Sequence, residues 1–113
     1  MLTVVELKAY IDEVEALFSE DERSAIISYL SERPKAGVLI TGTGGVRKLR
    51  WGRGGKGKSS GVRIVYFFYS DVMPLYLITA FAKADKENLS KEGRNDLAGL
   101  TRHLTSIWLG KKK

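Results

Sequence analysis

Residues 62–69, Val-Arg-Ile-Val-Tyr-Phe-Phe-Tyr, constrain this chain more than any other stretch. Seven of the eight are β-branched or aromatic, a composition that suits a pleated, packed strand and disfavours a helix. Residues 75–82 form a second run of this kind. The turn 71–74 between them is so short that the two strands are expected to pair antiparallel. Residues 46–51 alternate and read as a further strand. Upstream, residues 2–7 are β-prone, and an edge strand is preferred there over a helix capped by Thr3 and Glu6. Leu7, Tyr10, Ile11, Val14, Leu17 and Phe18 then recur at helical spacing, with Asp12, Glu13 and Glu15 opposite. Ser19 and Glu22 make a capping box for a second helix with Ile26, Ile27 and Leu30 inward, ended at Arg33-Pro34. Ser90 caps a last helix whose apolar stripe is Leu97, Leu100, Leu104 and Ile107.

These elements predict an α+β fold. A short N-terminal strand and a two-helix hairpin pack on an antiparallel sheet of three or four strands, covered by helices on one face, with a C-terminal helix after it. With 113 residues, no internal repeat and no linker, the chain is expected to be one domain over residues 1–110, followed by a disordered basic tail at 111–113.

Charge is distributed unevenly along this frame. Residues 1–33 hold three basic and eight acidic side chains, whereas residues 34–70 hold eight basic side chains and no carboxylate. An acid-free segment of that length predicts a focused positive surface, whose natural partner is a polyanion. The absence of cysteine excludes disulfides and thiolate metal sites. No apolar run is long enough for a membrane span, and the first residues lack the basic segment of a signal peptide. A cytoplasmic protein without membrane attachment is the expectation.

One motif is refused. Gly52-Arg53-Gly54-Gly55-Lys56-Gly57-Lys58-Ser59 satisfies the pattern of a phosphate-binding loop letter for letter. That chemistry needs a helix directly afterwards, whose N-terminal amides hold the phosphates. Here the strand 62–69 follows instead. A basic, glycine-rich loop that meets a nucleic-acid backbone is the better reading.

Strand alternation puts Lys48 and Arg50 on one face of their strand and Arg47, Leu49 and Trp51 on the other. Arg63 shares a face with Val65, Phe67 and Tyr69, and Lys83 ends the following strand, two residues after Phe81. An arginine inside so apolar a strand needs a reason. A sheet face carrying Lys48, Arg50, Arg63 and Lys83, with Lys56 and Lys58 reaching in from the loop, would supply one. RNA cleavage by internal attack requires a group to take the 2′-hydroxyl proton, a group to stabilise the phosphorane and a group to protonate the leaving 5′-oxygen. Clustered cations serve the second need directly, and by crowding they favour the neutral amine of a lysine, which serves the first. No cofactor or metal is required. His103, the single histidine, lies on the last helix, so a two-histidine mechanism is excluded. Trp51, Tyr66, Phe68 and Tyr69 are candidates for stacking on bases, one or two at most. Tyr69, Arg47, Arg53, Lys56 and Lys58 are the expected RNA contacts; Lys48, Arg50, Arg63 and Lys83 are the expected catalytic set.

At three stretches taken in order the chain resembles the RelE/ParE toxin superfamily, and most closely its HigB-like branch. They are Gly42-Thr43-Gly44-Gly45-Val46-Arg47-Lys48-Leu49-Arg50, the run from Lys56 to Phe67, and Phe81-Ala82-Lys83-Ala84-Asp85-Lys86. The resemblance implies a RelE-like fold and the toxin of a type II toxin–antitoxin system, a metal-independent endoribonuclease that cuts messenger RNA on the ribosome. It also implies a cognate antitoxin, in this branch often a HigA-like helix-turn-helix repressor, expected to set acidic residues against the sheet or to brace the N-terminal hairpin. By the same resemblance Arg63 corresponds to the arginine that stabilises the transition state, and Lys48 and Arg50 to a basic pair containing the general base. Two positions depart from the family: Ala84 stands where it has an arginine, and Ser90 where it has a catalytic tyrosine. The general acid is therefore unassigned, with Lys56 or Lys58 as replacements. The alternatives are a ParE-like inhibitor of DNA gyrase, which cuts nothing, and a non-catalytic RNA-binding module.

Overall fold

In a computed structural model, which describes residues 2–52, 61–82 and 90–110, the chain is an α+β fold with a mixed five-stranded sheet. Strand β1 (Val4–Glu6) leads into α1 (Lys8–Leu17) and α2 (Glu20–Glu32), followed by β2 (Val38–Leu39), β3 (Val46–Trp51), β4 (Val62–Phe67), β5 (Leu75–Ala82) and α3 (Lys91–Leu109). The strand order is β1-β5-β4-β3-β2. The chain thus starts at one edge of the sheet. It crosses the back face as the α1–α2 hairpin, enters the opposite edge as β2 and returns by an antiparallel meander to lie beside β1.

Two expectations are corrected. The sheet has five strands and is not purely antiparallel, because β1 pairs parallel with β5, held by Leu75 N–H to the Thr3 carbonyl at 2.9 Å and Leu7 N–H to the Leu77 carbonyl at 3.0 Å. Two-residue β2 carries no alternation to read, so sequence pattern missed it; at this edge Val38 and Leu39 stay exposed. Helices also cover both faces. On the back, Tyr10, Val14, Phe18, Ile26 and Leu30 pack on Val62, Ile64, Tyr66, Leu75 and Leu77. On the front, Leu97, Leu100 and Leu104 of α3 join Val46, Val65, Phe67, Tyr76 and Ile78. This two-sided cover explains why β4, read as an apolar run, is buried along its whole length.

The helix boundaries follow local chemistry. Ser19 and Glu22 form the reciprocal capping box, with the Ser19 hydroxyl accepting from the Glu22 amide at 3.2 Å and the Glu22 carboxylate from the Ser19 amide at 3.2 Å. Ser90 caps α3 by accepting from the Gly93 amide at 3.0 Å. The β2–β3 turn uses Gly42, Gly44 and Gly45 at positive φ. At Gly44 a side chain would also collide with Thr101, whose hydroxyl donates to the Thr43 carbonyl at 3.0 Å. A second tie joins α3 to the sheet where Trp108 Nε1–H donates to the Tyr76 hydroxyl at 2.7 Å. Both ties lie toward the end of the sheet where Val46, Phe67 and Tyr76 face one another. Among the described residues no helix is long and apolar enough to cross a membrane.

Two buried tyrosines on the back face separate hydroxyls that hold the fold from hydroxyls that do not. Tyr66 accepts from the Gly37 amide and donates to the Pro34 carbonyl, both at 2.8 Å. The Tyr10 hydroxyl is buried without a partner. Burial, and secondarily the Glu6 carboxylate, push the Tyr10 phenol well above its ordinary value of 10.0. Because the neutral form is the one the fold favours, its contribution is complete below pH 10 and is lost as pH climbs toward the raised value. Tyr66→Phe is expected to cost about 2 kcal/mol at pH 7, since it orphans a buried amide. Tyr10→Phe should cost nothing at pH 7 and move alkaline unfolding to higher pH; urea melts from pH 7 to 12 check both.

Candidate anion site on the front of the sheet

Cross-strand register fixes which side chains meet on the front face. Arg50 lies directly opposite Arg63, and Lys48 opposite Val65. On the other side of β4, Arg63 lies opposite Phe81 and Val65 opposite Thr79. Directly opposed residues project to the same face, so one row across β3, β4 and β5 reads Arg50–Arg63–Phe81, with Lys48 in the next row. The front cluster that α3 joins begins in the next row with Val65, two residues along β4 and roughly 7 Å away, and Phe81 packs at its margin.

Lys48, Arg50 and Arg63 therefore converge as expected, but not on an open surface. Arg50 is exposed and Lys48 half-buried, while Arg63 is only 4% exposed. Its Nη1 is sealed from solvent and has no hydrogen-bond partner. The ion pairs among the described residues are Lys8–Asp12, Arg23–Glu6 and Arg33–Glu32, so no carboxylate there neutralises Arg63 or Arg50. Burying an unpaired cation is costly, and placing like charges directly opposite adds to the cost. Arg63 thus offers a dehydrated, forked donor with unused capacity, whose natural complement is a phosphate-like oxyanion. The acid-rich α1 and α2 lie on the opposite face, while on the front α3 carries Glu92 and Asp96, neither in a salt bridge with Arg63 or Arg50.

Other expected site residues go elsewhere. Arg47 points to the back, as alternation required, where it donates to the carbonyls of Gly37 at 2.8 Å and Lys35 at 3.2 Å. It ties down the loop after α2, on the face away from Lys48 and Arg50. Tyr69 follows the end of β4, which stops at Phe67 and not at residue 69. Its ring is 52% exposed and lines a cleft with Arg33, Lys35 and Asp71. This cleft is about 20 Å along the strand from Arg63, so Tyr69 does not join the arginine row. Of the other aromatic candidates, Trp51 packs edge-on against Tyr29 with ring centroids 5.5 Å apart, Phe68 leans on the back core, and Tyr66 is locked as described. Lys83, Arg53, Lys56 and Lys58 lie outside the described residues, as do most of the refused phosphate-loop motif and the tail 111–113. After Gly61 the chain enters β4, so a strand occupies the place where that motif needs its helix.

His103 is exposed on α3, and the Ser90 hydroxyl is occupied as the helix cap. Among the described residues no group of three or more His, Cys, Asp or Glu side chains is placed to hold a metal. The chain matches no known protein-family model.

The two β-strand arginines carry opposite expectations. Arg63→Met keeps similar bulk and removes an unpaired buried charge, and should stabilise the protein by about 1 kcal/mol. Arg47→Met abandons two backbone carbonyls and should destabilise it by about 2 kcal/mol. Paired urea denaturation curves test the contrast. Equal losses in the two variants would assign Arg63 a structural role.

Proposed function

We propose that this chain is a ribonuclease toxin of the RelE/HigB type, which cleaves messenger RNA in the cytoplasm at the ribosome. The single observation that carries the proposal is the buried Arg63, unpaired at Nη1 and set opposite Arg50, with no carboxylate among the described residues in a salt bridge to either. A cation kept dry and unneutralised at a cost to the fold is what stabilisation of a phosphorane needs, because a preorganised donor in a water-poor site acts far more strongly than one in water. In this reading Arg63 holds the charge that develops on the non-bridging oxygens. Arg50 supplies the second positive charge beside it, and Lys48, one row away, takes the 2′-hydroxyl proton. Lys83 and the loop cations Lys56 and Lys58 complete the set the resemblance implies, one of the loop lysines serving as general acid. A HigA-like antitoxin would silence the protein by covering this face with carboxylates or by bracing the acidic hairpin.

The reading is tested by inducing the chain in growing cells and mapping transcript 5′ ends. New ends at codon-fixed positions within translated regions are expected, and Arg63→Ala should reduce them by roughly a hundred-fold or more, the loss typical of removing one oxyanion donor. Arg63→Lys should recover little, since an ammonium lacks the planar fork. Unchanged transcripts accompanied by DNA breaks would replace this reading with gyrase inhibition.

A further inference from the structure

From the register of β4 and β5 we infer that Phe81 forms a nucleobase subsite beside the arginine row, taking an unpaired base of the same strand whose phosphate meets Arg63. The inference rests on the reading of that row as a phosphate site. Three observations carry it. Phe81 is the direct cross-strand neighbour of Arg63, on the side away from Arg50. Its ring is half-buried, not sealed, at the margin of the front core. And β5 has no strand beside it there: β1 pairs only with Leu75–Leu77, and the chain turns into α1 after Leu7, so among the described residues no strand flanks the edge of β5 next to Phe81.

The position of Phe81 depends on a β-bulge. Leu75 and Leu77 face the helical hairpin on the back. Simple alternation would send residue 81 to the same side. Instead the register shifts at Val65/Tyr66, with Tyr66 opposite Leu77 and Val65 opposite Thr79, leaving Ile78 as the extra residue. Beyond the bulge Ala80 takes the back-face position and Phe81 turns to the front, into the arginine row. Bulges commonly re-aim a side chain next to a functional site, and this one delivers an aromatic ring to within one strand spacing of the unpaired guanidinium. Adjacent strands lie about 4.8 Å apart, so a phosphate at Arg63 leaves its own base within reach of the ring. Every face of an unpaired base can stack on such a ring, which makes the subsite selective for single-stranded over duplex RNA and tolerant of base identity.

The purified full chain is titrated with a short 2′-O-methyl oligoribonucleotide, which cannot be cleaved, carrying 2-aminopurine at successive positions. Binding should quench the fluorescence at one position. Phe81→Leu should abolish that quench and weaken binding roughly ten-fold, leaving the slope of log affinity against log salt unchanged because no phosphate contact is lost. Arg63→Met should lower that slope by about one. Phe81→Tyr should bind as the parent does. An abasic residue at the quenched position should reproduce the ten-fold loss on unaltered protein, which guards against misfolding of Phe81→Leu. Full affinity and full quench in Phe81→Leu, with Arg63→Met impaired, would overturn the base subsite alone. If Arg63→Met also binds like the parent, the phosphate reading fails and the subsite fails with it.

Discussion

Arg63 is the second residue of β4, the most apolar strand of the chain, 4% exposed, with an arginine on one side and a phenylalanine on the other. Every other structural feature near it can be understood as making that position possible. The rest of β4 is buried on both faces, which holds the guanidinium within a rigid strand and keeps it off the mobile surface. Among the described residues no salt bridge reaches it, and Glu6 at the end of β1 is taken by Arg23 at 3.3 Å.

That arrangement is a poor way to stabilise a small protein. A buried ion is tolerable when paired, and a core position is better filled by an apolar side chain. Native folds keep such local conflicts chiefly where a function requires them. The remainder of the sheet shows how the same residue type behaves when its task is structural. Arg47, three positions from Arg50 on the same strand, gives its guanidinium to two backbone carbonyls and closes the loop after α2. Arg47 keeps a buried, unpartnered Nε but anchors its Nη1 on two carbonyls, whereas the Nη1 of Arg63 has no acceptor, and that difference separates a scaffold residue from a candidate ligand-binding one.

Much of this was legible in the residues. Strands 46–51 and 75–82, both serine caps and the α1–α2 hairpin follow from periodicity and capping chemistry, which are local. Alternation alone grouped Lys48 with Arg50 and set Arg47 apart. What local pattern could not give were properties of pairing. Val38 and Leu39 have no period to detect, and the parallel partner of β1 depends on a strand seventy residues away. The aromatic residues singled out for stacking, Trp51, Tyr66, Phe68 and Tyr69, face the back, are locked in the core or lie at the wrong end. Phe81 reaches the front only because of the bulge at Ile78, which shifts the phase of the strand without any glycine or proline to mark it. Nor did sequence foretell that Arg63 would be only 4% exposed, since burial depends on what packs around a strand and not on the strand's own pattern.

The most direct test is a crystal structure of the chain with a 2′-O-methyl oligoribonucleotide bound. The account requires a phosphate oxygen within hydrogen-bonding distance of Arg63 Nη1, with Arg50 flanking the same phosphate. RNA lying along another surface, with Arg63 Nη1 still unpartnered or satisfied by a carboxylate of the protein itself, would contradict it.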